Sequence, residues 1–195
     1  MTKSRLEAFS DGVLAIIITI MVLELKIPHE STIEALASLL PVFISYIMSF
    51  VFIGIYWGNH HHLMHTVHHV NGKIIWANMG LLFFLSLIPF TTGWMGENHF
   101  DKLPVAVYGV NLLLSGVTFY ILQQVIKYSN PQNSKLESAF KKLQIKGIIS
   151  LVIYSISIPF AFYKPLISAC LFVVISIMWV IPDKNIERAL KDEKV

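Results

Sequence analysis

Residues 5–23 read Arg5-Leu6-Glu7-Ala8-Phe9-Ser10-Asp11-Gly12-Val13-Leu14-Ala15-Ile16-Ile17-Ile18-Thr19-Ile20-Met21-Val22-Leu23. A polar, charged opening runs straight into an apolar stretch. As a helix rising about 1.5 Å per residue, it crosses most of a ~30 Å hydrocarbon layer. Cationic residues before an apolar run also mark signal peptides. Here Glu7 and Asp11 interrupt the start and no small-residue cleavage site follows Leu25, so the segment is expected to remain as a membrane span. At about 100° per residue, Gly12, Ile16, Thr19, Ile20 and Leu23 fall on one stripe, with Asp11 nearly opposite. The stripe has two readings. It is an ordinary lipid-facing or core-facing aliphatic surface, or it is a pore face where Ile and Leu rings exclude water and a Thr hydroxyl meets a partly hydrated cation. Asp11 also has two. It caps first-turn amides, or it latches the helix to another helix or subunit.

The rest of the chain repeats the apolar theme. Of 195 residues, 55% are hydrophobic and 14% charged, and the mean hydropathy is +0.64. A soluble domain carries about 25% charge, so a soluble enzyme is excluded, as is a disordered chain. The net charge of +3 is modest and no basic face suggests nucleic acid. The single Cys170 rules out an internal disulfide framework and a Cys-based zinc site. Six spans are expected, at about 6–25, 36–57, 74–94, 103–126, 147–163 and 166–181, forming one domain over 1–182 with a charged tail over 183–195. Pro41, Pro89 and Pro159 fall within or near spans and predict kinks. Trp57, Trp76, Trp94 and Trp179 fall near expected span ends, as an aromatic belt would.

Lys3, Arg5, Lys73, the lysines between Lys127 and Lys146, and the basic tail fall at one set of span ends. Lys26, Lys102 and Lys164 fall at the other, beside Glu30, Glu34, Glu97 and Asp101. This bias predicts both termini in the cytoplasm of a multi-pass cell-membrane protein. The middles of the spans hold no ionisable residue, which favours a passive pathway over an ion-coupled carrier. No nucleotide-binding loop, nucleophile elbow or zinc-protease helix is present, and no Thr-Val-Gly-Tyr-Gly loop offers a carbonyl filter.

Six of eight histidines lie between His60 and His69. His61 and His65, and His65 and His69, are spaced i, i+4, which suits a metal site on a helix. No carboxylate nearby in sequence completes one, so no metal is assigned. His60 or His61 is expected instead to partner Ser10 or Asp11. Gly54 and Gly58 form a small-xxx-small pair that permits close helix contact. Asn78, Asn111, Thr118 and Ser155 are candidates for bonds between helices.

Arg5, Phe9, Ser10 and Asp11 match the R-x-x-x-F-S-D signature that opens the first helix of the lysosomal and bacterial potassium channels of the transmembrane-protein-175 type. Trp57-Gly58-Asn59-His60-His61-His62-Leu63 resembles that family's Trp-x-x-His-His-x-Leu, and Asn78 to Phe90 resembles its third helix. The likeness covers the first half of the chain well; the second agrees mainly in the number and length of spans. It implies an all-α integral membrane protein of six transmembrane helices per chain, assembled as a homotetramer with the first helix lining the central pore. It implies a constriction at Ile16, Ile20 and Leu23, a selectivity position at Thr19, and a structural network of Arg5, Phe9, Ser10, Asp11, Trp57, His60 and His61. The expected function is passive, potassium-preferring cation permeation, with no enzyme activity, no cofactor, no metal and no nucleic-acid partner. Alternatives are a small secondary transporter or proton-coupled carrier, a membrane enzyme using the histidines and a metal, and a non-conducting scaffold.

Overall fold

The prolines decide where several helices begin. Pro41 has no amide hydrogen to offer and a φ already suited to a first helical turn, so the chain breaks before it. The computed structural model describes residues 2–129 and 134–180. Its helices are α1 (Lys3–Leu23), α2 (Ile33–Ser38), α3 (Leu40–His65), α4 (Gly72–Ser86), α5 (Ile88–Glu97), α6 (Lys102–Ser129), α7 (Ser134–Tyr163) and α8 (Pro165–Val180). Thr32 and Asn71 cap α2 and α4 by accepting bonds from the amides of Ala35 and Ile74.

Among the described residues, five helical stretches are long and apolar enough to cross a membrane. They are Lys3–Leu23, Leu40–His65, Gly72–Glu97, Lys102–Ser129 and Phe140–Tyr163. The sixth expected span corresponds to α8, which is apolar but only 16 residues long. The expected tail over 183–195 lies outside the described residues.

Several boundaries differ from the sequence reading. The second span was expected from 36 to 57. The chain instead forms the short α2, breaks at Leu39, and then continues helical to His65. The histidines lower hydropathy without opposing helix, so hydropathy alone stops about two turns early. The third span divides at Leu87, at the interruption expected near Pro89. Pro41 starts a helix instead of kinking one; Pro159 lies inside α7, within the span where it was expected. Helix α7 also begins well before Gly147, because Lys141, Lys142 and Lys146 are helix formers whatever their charge.

Helix α6 sits at the centre, packed against α4, α5, α7 and α8, while α3 packs on α5 and α8. Val105, Tyr108, Leu112, Leu122 and Ile126 of α6 are fully enclosed. Gly96 permits the approach of α5 to α3: a Cβ there would stand 2.5 Å from Ser45 Oγ and 2.7 Å from Val42 Cα. Among the described residues, a Cβ at Gly54 or Gly58 meets nothing within 4 Å, so neither serves this purpose within the chain. A hydroxyl cluster joins three helices nearby, with Ser49 Oγ 2.6 Å from Thr92 Oγ1 and 3.0 Å from Tyr108 Oη.

Candidate functional site

One face of α1 is committed to the bundle. Leu6, Ser10, Leu14, Ile17 and Met21, spaced three or four residues apart, are buried against α3, α4 and α5. The other face is bare. Ile16 is 58% exposed, Ile20 42% and Leu23 80%, and Gly12 and Thr19 of the same stripe are also exposed. The stripe found on the helical wheel therefore lies away from the core of its own chain. A groove lined by Val13, Ile16, Ile20, Pro89, Phe90 and Trp94 runs beside it, between α1 and α5. Thr19 Oγ1 donates to the Ile16 carbonyl at 2.8 Å. Its single hydrogen is used within the helix, so the exposed hydroxyl retains only acceptor capacity.

The buried face is held by a directional chain of hydrogen bonds. His60 Nε2 lies 2.7 Å from Asn78 Oδ1, a carbonyl oxygen that can only accept, so the ring carries its hydrogen on Nε2. Asn78 Nδ2 donates to Ser10 Oγ at 3.0 Å, and Ser10 Oγ donates to the Leu6 carbonyl at 2.9 Å. His60, Asn78 and Ser10 are all buried. His60 Nε2, both Asn78 amide atoms and Ser10 Oγ along this α3–α4–α1 path thus each have a partner, as burial in an apolar medium requires.

Asp11 stands at the edge of this network, exposed, and accepts from Trp57 Nε1 at 3.0 Å. Trp57 in turn stacks on His61, with centroids 6.2 Å apart. The expected partnership of His60 with Ser10 thus runs through Asn78, and Asp11 takes an indole N–H in place of a histidine. Arg5 and Phe9 are exposed, and no described residue forms an ion pair with Arg5. At the far end of α1, Lys26 pairs with Glu97 of α5. Glu97 holds the Lys26 ammonium above its ordinary range, first through their hydrogen bond and then through charge.

Of the four candidate glue residues, Asn78 joins helices and Asn111 Nδ2 reaches Thr91 Oγ1 at 3.4 Å. Thr118 and Ser155 bond carbonyls of their own helices. One grouping was not legible. Glu7 of α1 comes up to His61 and His65 of α3, with one ligand atom of each within 4.8 Å of the others. The i, i+4 histidines were the signal; the carboxylate is remote in sequence.

Residues 5–89 match the family model described as the endosomal/lysosomal potassium channel TMEM175. A potassium channel of Chryseobacterium sp. is 51% identical over 192 residues, covering 98% of this chain and 100% of that protein. The endosomal/lysosomal proton channel TMEM175 of Gallus gallus is 38% identical over 99 residues, 45% of this chain and 19% of that protein. The fold matches the crystal structure of a lysosomal potassium-selective channel TMEM175 homolog from Chamaesiphon minutus, with a TM-score of 0.82 and 25% identity, covering 92% of this chain and 96% of that one. The signature at Arg5–Asp11, the helical bundle and a full-length relative agree: the chain belongs to the TMEM175 family, a family of ion channels and not of enzymes.

Proposed function

We propose that the protein is a potassium-preferring cation channel of the cell membrane, formed by four copies whose α1 helices meet around a central pore. The observation that carries this reading is the bare face of α1. Ile16, Ile20 and Leu23 are large, apolar and exposed, on a helix whose opposite face is fixed to its own bundle through Ser10 and Asn78. In a ring of four, these aliphatics narrow and dry the path, while Thr19 turns four acceptor oxygens toward a cation that has shed part of its water. The potassium preference draws on the Chryseobacterium and Chamaesiphon relatives, named as potassium channels. No cofactor is required, because the permeant ion supplies the chemistry. Asp11, Trp57, Arg5, Phe9 and His61 border the anchored end and support assembly. Helix α8 makes the sixth crossing. Its 16 residues span about 24 Å, which a locally thinned bilayer accommodates. The amino terminus then lies in the cytoplasm beside the carboxyl-terminal tail.

A carrier reading wants an ionisable group inside the spans. Among the described residues, no Asp, Glu, Lys or Arg is buried, and the buried His60 sits near the end of its span, bonded to Asn78. The test is purified protein in planar bilayers under a potassium/sodium gradient. A reversal potential shifted toward that of potassium, with current that does not saturate like a carrier, supports the channel. A flat recording from folded tetramer, or saturable competitive transport, rejects it. Crosslinking that yields no tetramer rejects the central pore.

A further inference from the structure

The end of α3 carries a donor set that the pore reading leaves unused. His61 and His65 lie one turn apart on one face, with their Nε2 atoms 3.1 Å apart and their rings edge to face at a centroid distance of 4.4 Å. Glu7 approaches from α1, and one ligand atom from each residue lies within 4.8 Å of the other two. Two imidazole nitrogens on a tetrahedral metal, each at ~2.0–2.1 Å, stand about 3.3 Å apart. The observed separation is close to that, so the rings need little movement to share an ion. The surroundings also orient them. Trp57 stacks on His61 and is itself bonded to Asp11. Lys3 donates to the His65 carbonyl at 3.1 Å, which fixes the turn and brings a cation that opposes a metal. His62 meets His61 edge-on at 5.8 Å and is not part of the triangle.

We infer that Glu7, His61 and His65 bind one divalent transition-metal ion of the zinc class, joining the start of α1 to the end of α3. Two imidazoles and one carboxylate suit zinc, cobalt or nickel; magnesium and calcium favour all-oxygen shells. Both histidines are exposed and Glu7 is half-buried, so water has access to the fourth position. The site does not depend on which face of α1 meets permeant ions. Its failure would leave the channel reading intact, and the reverse also holds.

The experiment uses the full-length, tag-free protein in detergent, stripped of metal and then freed of chelator. Zn2+ is titrated in competition with a chromophoric chelator. The expected result is one equivalent per chain, with affinity lowered at least tenfold in His61→Ala and in His65→Ala, lowered less in Glu7→Gln, and unchanged in His62→Ala. Mg2+ should not compete. Because a variant can fail to fold, Co2+ is also added to the unaltered protein. An intense visible absorption band, the mark of four-coordinate cobalt, is expected. Absence of both zinc uptake and that band in the unaltered protein overturns the site. So does full zinc affinity in a folded triple variant lacking all three ligands, or loss of binding in His62→Ala with retention in His61→Ala.

Discussion

Helices α1 and α6 are both long apolar spans, yet the bundle treats them differently. Half of the apolar window of α6 is buried within the chain, against 28% of that of α1. Helix α6 is wrapped by neighbours and closed by a hydroxyl cluster at Tyr108. Helix α1 spends one face on the bundle and leaves the other bare. Substitutions in α6 should therefore register as lost stability, and those on the bare face of α1 as altered conduction.

The contrast can be broken at four points. Tyr108→Ala should cost the most, about 3–5 kcal/mol, because it empties a fully enclosed site and strips Ser49 of a partner; thermal unfolding in detergent should show a large fall in midpoint. Asn78→Ala should cost about 1–3 kcal/mol, since it leaves His60 and Ser10 buried with bonds unmade. The same assay should place it below Tyr108→Ala, and equal losses would mean that α1 is as deeply embedded as α6. Trp57→Phe removes one bond to an exposed carboxylate and should cost about 0.5–1.5 kcal/mol, with a weakened tetramer on gel filtration as its second sign. Thr19→Val should change stability by no more than ~0.5 kcal/mol while altering the potassium/sodium permeability ratio. A marked loss of stability at Thr19, or an unchanged ratio in a conducting variant, would erase the contrast.

What the sequence disclosed follows the reach of each interaction. The stripe on α1 was legible because helical periodicity is local: Ile16, Thr19, Ile20 and Leu23 do fall on one exposed face. The break near Pro89 was legible because proline acts on its own backbone. The extension of α3 to His65 was not, since hydropathy counts polarity and not helix preference. Gly96 was passed over in favour of Gly54 and Gly58. Spacing reveals which small residues share a face, but only the packed neighbour reveals which one is pressed against backbone. Glu7 could not be joined to His61 and His65 by spacing either, because that meeting depends on how α1 docks on α3.

The interruption at Leu87 has a consequence for motion. On one side of it, α4 is bolted to α1 through Asn78; on the other, α5 is tied through Glu97 to Lys26, just past the end of α1. Any swivel of α1 about its own axis must drag two half-spans that meet at a joint where Pro89 offers no amide hydrogen. A turn of α1 therefore loads the backbone at Leu87 as well as the greasy contacts along its buried face.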